Sequence, residues 1–297
     1  MRDFAFHRPR SVADAVALLR AHDSAKLLAG GQSLLPIMKL DLAEPADVVS
    51  LAAIPGLKAI RVDGAGRGPG APAGRLSIGA LATHDEVSAS PEVRRLIPGL
   101  AALAAGIGDA QVRNRGTIGG SLAHADPAAD YPAAVLALDA TIETDRRSIA
   151  AGDFFTGLFS TALAADEIVT AVHFRVPERA AYAKFPHRAS KFAVVGVMVA
   201  RLDAATPPAT SAAPAAATVA SGGVRVAVTG AGPRAFRLPA LEAALAARFT
   251  PDAAGAGDPL AGAPFAAAEL QSDGEASAEY RAHLVTVMAG RAIQACL

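Results

Sequence analysis

Two adjacent glycine pairs constrain this chain more than any other feature it carries. The stretch from Asp109 to Asp130 reads DAQVRNRGTIGGSLAHADPAAD and sets Gly119 and Gly120 between Thr117 and Ser121. Glycine has no Cβ and admits positive φ, so a backbone there passes close to a ligand with its N–H groups turned outward. Such donors suit the oxygens of a pyrophosphate. The flanking hydroxyls add side-chain hydrogen bonds, and a carboxylate such as Asp130 accepts from sugar or ribityl hydroxyls. A tight turn is the simpler account of any single glycine pair. Residues 26–40, KLLAGGQSLLPIMKL, repeat the arrangement, with Leu27 and Leu28 leading into Gly30-Gly31, Gln32 and Ser33. Two strand-to-glycine turns of this make-up grip one diphosphate from two sides. Neither carries the G-K-S/T of a phosphate-binding loop or a G-x-G-x-x-G, so the cradle is of another type.

Composition narrows the function classes. With 297 residues, the chain has room for two or three modest domains. Its 28 Lys+Arg balance 28 Asp+Glu, without the basic excess of a nucleic-acid binder. One cysteine, Cys296, excludes an internal disulfide and a four-cysteine iron–sulfur cluster, so any such cluster must come from another subunit. The N-terminal MRDFAFHRPRSVADA lacks the apolar region of a secretory signal, and no apolar run approaches the ~20 residues of a membrane helix. A cytoplasmic protein is the expectation. The seven histidines show neither H-x-x-x-H nor H-E-x-x-H spacing, so no metal is assigned.

Along the chain, Ser11 and Asp14 mark a helix start with Val12, Val16 and Leu19 on its apolar face. Lys26–Ala29 and Val48–Leu51 read as strands, and 57–80 as a hairpin around a Gly/Pro-rich loop. Thr83 with Glu86 opens a short helix, Pro91 another, and Leu96–Ile107 a third; an apolar helix or run follows from Tyr131 to Leu138. Strands are expected at Ile142–Thr144, Ile168–Val176, Val194–Leu202 and Val224–Val228, with an Ala/Pro-rich excursion over 203–223. Glu275–Ala295 reads as an amphipathic helix through Tyr280, Leu284, Val287 and Met288. Two G-x-G-x-x-A stretches are set aside as nucleotide sites: Gly66–Ala71 contains a proline and no helix follows, and the helix after Gly230–Ala235 starts too late, near Pro239. His84-Asp85 is read as a surface helix start; His124 has a cofactor or interface role open beside a structural one.

AGGQSLLPIMKL together with QVRNRGTIGGSLAHADPAAD resembles the FAD-binding medium subunit of the molybdenum hydroxylases, the family of aerobic carbon monoxide dehydrogenase and xanthine dehydrogenase. The likeness continues through DFFTGLFSTALAADEIVTAVHFRVP at 153–177 and ASAEYRAHL at 276–284. It implies an α+β fold with α/β lobes: a two-lobed PCMH-type FAD-binding domain over 1–177 (lobes about 1–56 and 57–177), then a smaller α+β carboxy-terminal domain over 178–297 with an antiparallel sheet and helices.

The resemblance also implies roles. Ala29, Gly30, Gly31, Gln32, Ser33 and Leu34 would meet the FAD diphosphate, with Lys26 adding charge unless it is a solvated strand end. Thr117, Ile118, Gly119, Gly120 and Ser121 would form the second wall, Asp130 would take ribityl or ribose hydroxyls, and Asp126 would cap the local turn. Ile168 or Val169, and Lys184, fall where the family has further flavin contacts, although a core strand and a surface lysine account for them equally well. In RASKFAVV, Lys191 and Phe192 stand where the family often has an acidic residue and an aromatic beside the ring, so a tyrosine hydroxyl is missing. No catalytic acid or base is assigned, because the flavin carries the redox chemistry. The implied partners are a large molybdopterin subunit holding the molybdenum cofactor and a small iron–sulfur subunit holding 2Fe–2S clusters, in a dimer of heterotrimers. Substrate would be oxidised at molybdenum, and electrons would cross the clusters to this FAD and on to an external acceptor. The alternative is a stand-alone FAD-dependent oxidoreductase, which needs a substrate acid or base that the chain does not display. A scaffold that had lost its flavin would be expected to have broken glycine motifs, and both are intact.

Overall fold

A computed structural model describes residues 2–63, 74–203 and 223–297. The G-x-G-x-x-A at Gly66–Ala71 and residues 204–222 of the Ala/Pro-rich excursion lie outside the described residues.

The chain begins with β1 (Ala5–His7), α1 (Val12–Ala21), β2 (Lys26–Leu28), α2 (Leu34–Lys39) and β3 (Asp47–Ser50). The strands pair in parallel in the order β1-β3-β2. β3 is buried at every position, as a central parallel strand covered on both faces requires, with Val48 and Val49 apolar between the buried polar ends Asp47 and Ser50. Ser11 caps α1 by accepting from the Asp14 amide at 3.1 Å, and Ala15 and Val16 pack with Val49, Leu51 and Ile54.

β4 (Ile60–Asp63) and β5 (Arg75–Gly79) form the expected hairpin. Six helices follow: α3 (His84–Ala89), α4 (Pro91–Leu96), α5 (Pro98–Ala105), α6 (Ala110–Arg113), α7 (Ile118–His124) and α8 (Tyr131–Ala137). Thr83 and Glu86 close a full capping box on α3, which pins its first turn. The helix expected over Leu96–Ile107 starts late, at Pro98, because a residue before proline is pushed out of the helical region: Ile97 has φ −139° and ψ 68°. β6 (Thr141–Thr144), β7 (Ser148–Ala150), α9 (Ala151–Phe154), β8 (Phe155–Gly157), β9 (Ser160–Thr161) and β10 (Val169–Arg175) complete this part. Its sheet runs β4-β5-β10-β6-β7, antiparallel throughout. Leu76, Ile78, Val172 and Phe174 of that sheet share one core with Leu100, Leu103, Ile118 and Leu122 of the helices.

β11 (Arg179–Pro186), β12 (Ala193–Arg201), β13 (Val224–Thr229) and β14 (Phe236–Arg237) make an antiparallel sheet in chain order, followed by α10 (Pro239–Ala247) and α11 (Ala278–Cys296). Val195, Val197 and Val199 share a core with Leu284, Val285 and Met288 of α11. The buried stripe of α11 differs from the expected one: Arg281 is inside and Tyr280 is 43% exposed. The Arg281 guanidinium explains the difference, since it donates to the carbonyls of Val194 and Gly230 and to Asp273. Gly230 (φ +81°) lies tight against the Ala193 and Val194 carbonyls, and α10 starts only at Pro239, so the turn at Gly230–Ala235 is occupied by protein contacts.

This sheet grips the turn between α7 and α8. Thr229 Oγ1 donates to the carbonyls of Pro127 (3.0 Å) and Ala129 (2.6 Å), and the amides of Ala193 and Gly230 donate to Ala128 and Pro127. Asp126 caps the same turn, its carboxylate accepting from the Ala128 amide at 2.8 Å. The turn that leads into Asp130 is thereby held both locally, by Asp126, and by a distant strand pair, through Ala193, Thr229 and Gly230.

Candidate cofactor-binding site

The two glycine motifs meet. β2 ends at Leu28 and delivers Ala29-Gly30 against the backbone that precedes α7, so that a Cβ on Gly30 would sit 2.2 Å from the Arg115 carbonyl oxygen. Gly31 then turns with φ +76°, a conformation that favours glycine, and the chain enters α2. Among the described residues, the amides of Gly31, Gln32 and Ser33 find no protein acceptor. They are the outward donors expected of a phosphate cradle.

The second motif differs from expectation. Gly119-Gly120 is not a strand-to-glycine turn but the first turn of α7, capped by Thr117, whose hydroxyl accepts from the Gly120 amide at 3.1 Å. The segment 80–84 is laced to it: His84 N–H donates to Gly116 O, Ile118 N–H to Ala82 O and Gly119 N–H to Ala80 O. The amides of residues 118–120 are thus already engaged by protein. What this wall offers is a surface without side chains and the hydroxyls of Thr117 and Ser121. Gly119 is needed for packing, because its Cβ would fall 2.5 Å from that of Ala80, whereas a Cβ on Gly120 would meet chiefly Thr117 Oγ1 at 2.8 Å.

Between the walls lies a cavity of about 550 Å³, within the range of small-molecule and cofactor pockets. Of the residues singled out from sequence, all but Ile118 and Lys184 line it. Ile118 is fully buried in the main core instead. Lys26 is exposed where it lines the cavity, and Ile168, 1% exposed, lines it just before β10.

Asp130 is at the cavity wall but is not free for sugar hydroxyls alone. Its Oδ1 accepts from Tyr182 Oη at 2.7 Å and from Lys184 Nζ at 2.8 Å. Burial pushes the Asp130 carboxyl above the usual range, and the Lys184 ammonium and Tyr182 hydroxyl oppose that rise. Burial, then the neighbouring carboxylate, pushes the Tyr182 phenol up. Lys184 is no surface lysine: its side chain is 10% exposed, and its ammonium also donates to the carbonyls of Gly106 and Lys191. It therefore ties the loop before α6 to the 187–192 turn, where Lys191 has φ +62° and Phe192 lines the cavity while 43% exposed.

His84 was missed as a site residue. Its surface reading is overturned by a 5% exposure, beneath Gly116 and 5.3 Å from the Tyr131 ring. Burial, with the Arg113 charge adding to it, pushes the imidazole down to about 4, so it is neutral near pH 7. Nδ1 is buried without a hydrogen-bond partner among the described residues, and His84 lines the cavity. The only local signal was the Thr83/Glu86 capping box, which locates the helix start but not what covers it. His124 lines the cavity too and packs on Phe159 at 5.3 Å, at the tip of the β8-β9 hairpin.

Residues 2–178 match the family described as "FAD binding domain in molybdopterin dehydrogenase". The chain is 36% identical over 293 residues to the nicotine 6-hydroxylase medium subunit of Paenarthrobacter nicotinovorans, covering 96% of this chain and 94% of that one. It is 35% identical over 303 residues to the carbon monoxide dehydrogenase medium chain of Hydrogenophaga pseudoflava, covering 98% and 96%. Among solved structures, the reconstituted CO dehydrogenase from Oligotropha carboxidovorans superposes with a TM-score of 0.83 at 30% identity, over 99% of this chain and 98% of that one.

Proposed function

The chain belongs to the FAD-binding medium subunits of the molybdenum hydroxylase family, and we propose that the cavity between its two glycine walls is where FAD is held. It is an oxidoreductase subunit of a multi-subunit dehydrogenase, with the mixed PCMH-type fold of the carbon monoxide dehydrogenase medium chains. The observation that carries the site assignment is the contact of Gly30 with the Arg115–Gly116 backbone, which closes two sequence-distant glycine pairs around one cavity.

In this reading the free amides of Gly31, Gln32 and Ser33, with the Ser33 hydroxyl, bind the diphosphate, and Lys26 adds positive charge at the edge. Gly120 lets the cofactor approach the start of α7, where Thr117 and Ser121 present hydroxyls. Asp130 and Lys184 hold a paired charge beside the cavity, and Ile168 and Phe192 supply apolar and aromatic surface for a ring. When bound, the flavin supplies electron transfer between the partner subunits and an external acceptor. We assign most of the FAD contact to residues 1–177 and read 178–297 as the domain that fixes Asp130 and brings Phe192 to the cavity wall, through the Thr229 and Lys184 bonds.

The partners follow from the same reading: a large molybdopterin subunit and a small iron–sulfur subunit, in a dimer of heterotrimers. No helix among the described residues is long and apolar enough to cross a membrane. A chain with a single cysteine and no need of oxidising conditions fits a cytoplasmic assembly.

The test separates fold from cofactor. Gly120→Val puts bulk into the cavity wall with only Thr117 Oγ1 close by, and is expected to abolish flavin retention while leaving the circular dichroism of the chain intact. Wild-type flavin absorbance in that variant would sink the two-walled site. Purification of the natively expressed complex checks the assembly: flavin bands should come with iron, molybdenum and two further chains, and flavin in a chain that purifies alone would refute it.

A further inference from the structure

We propose that His7, His22 and Asp47 form a binding site for one zinc ion, at the edge of the small parallel sheet and apart from the flavin cavity. Three rigid elements converge there. His7 ends β1 opposite Val49, Asp47 opens β3 opposite Ala5, and His22 caps the C-terminus of α1 with its amide bonded to the Leu18 carbonyl. The carboxylate reaches both rings, Oδ1 to His7 Nε2 at 2.7 Å and Oδ2 to His22 Nδ1 at 3.3 Å. One donor atom from each residue lies within 4.8 Å of the others, and the imidazole centroids are 5.4 Å apart.

Donor chemistry selects the ion. Zinc bonds of about 2.0–2.2 Å to nitrogen and oxygen place neighbouring donors of a tetrahedral shell about 3.4 Å apart, a spacing these side chains reach by small rotations. Two imidazoles and a carboxylate suit zinc, whereas magnesium and calcium take oxygen ligands and copper(I) prefers sulfur. Asp47 is 8% exposed, so its charge is largely withdrawn from water, while the His22 side chain is 38% exposed and gives an ion access from solvent. Spacing along the chain hides the set, because the ligands come from positions 7, 22 and 47. Asp47 starts its strand while Gly30 follows the end of a parallel neighbour, so the ion would clamp the far edge of the lobe that carries the first glycine wall. Its role would be structural.

The experiment uses the full-length chain, stripped with chelator and dialysed against zinc chloride. Bound zinc should saturate at one per chain and raise the thermal midpoint. His7→Gln and His22→Gln should each weaken zinc binding by about tenfold or more, remove the thermal shift and leave flavin content unchanged. His22 lies outside the sheet and is half-exposed, so its variant keeps the test valid if substitution at His7 perturbs β1. Binding that never saturates, zinc affinity equal to wild type in both variants, or an equal thermal shift with magnesium chloride would overturn the proposal.

Discussion

Gly30 and Gly31 are neighbours that answer different demands, and the same holds for Gly119 and Gly120. The first of each pair sits where two stretches of chain touch: Gly30 on the Arg115 carbonyl, Gly119 on Ala80. All four line the cavity, and a Cβ on the second of each pair would meet side-chain atoms only. Alanine at Gly30 would put a methyl 2.2 Å from a backbone oxygen that has no flexible end to move. Gly30→Ala is therefore expected to cost at least about 3 kcal/mol in urea unfolding, the upper end of overpacking penalties. His84 makes a second prediction at this scale. Its imidazole falls to about 4 in the folded chain from an ordinary value of 6.5, so the folded state binds fewer protons between those limits. Stability from this group is complete above pH 6.5 and is lost as pH drops toward 4, by up to about 3 kcal/mol. His84→Gln should flatten that part of the pH profile relative to wild type, which unfolding curves at pH 7 and pH 4.5 would resolve; equal slopes in the two proteins would refute the assignment.

The start of α7 decides how the second wall presents itself. Thr117 accepts from the Gly120 amide, and the carbonyls of Ala80 and Ala82 take the next two donors, so the helix begins fully satisfied although two of its first three residues are glycine. Glycine is a poor helix former, and the cap with its neighbouring strand offsets that weakness. Thr117→Ala is expected to lower stability by about 1 kcal/mol. It should also weaken flavin retention, since the same substitution loosens Gly120; a fall in stability with undiminished flavin content would show that the helix start does not shape the site. A comparable device operates in β12, where Gly196 is required because any Cβ would meet the Tyr182 hydroxyl at 2.1 Å. That hydroxyl is the one bonded to Asp130, so a strand interior glycine serves a contact that reaches the cavity.

Across the whole molecule, Asp130 joins the parts. It sits at the head of α8, pairs with Lys184 and Tyr182 of β11, and Lys184 reaches on to Gly106 and Lys191. Removing one partner of a buried pair leaves the other charge uncompensated, which costs about 3–5 kcal/mol. Asp130→Ala is expected to destabilise the chain by that amount and to release flavin, while Tyr182→Phe, which removes one hydrogen bond to the carboxylate and leaves the Lys184 pair in place, should cost about 1.5–3 kcal/mol. A near-neutral Asp130→Ala would refute the tie. Much of this architecture was legible beforehand: the Ser11 and Thr83 caps, the 57–80 hairpin, the strands read at Val48–Leu51 and Val194–Leu202 to within one residue, and the family, through the two glycine motifs. Those features are written in neighbours a few residues apart, where propensity, capping and side-chain periodicity act. Which glycine of each pair packs on backbone, that His84 is buried and Lys184 paired, and that His7, His22 and Asp47 meet were decided by the path of the chain alone. Each depends on packing between segments tens of residues apart, and local sequence carries no record of what another segment will place against it.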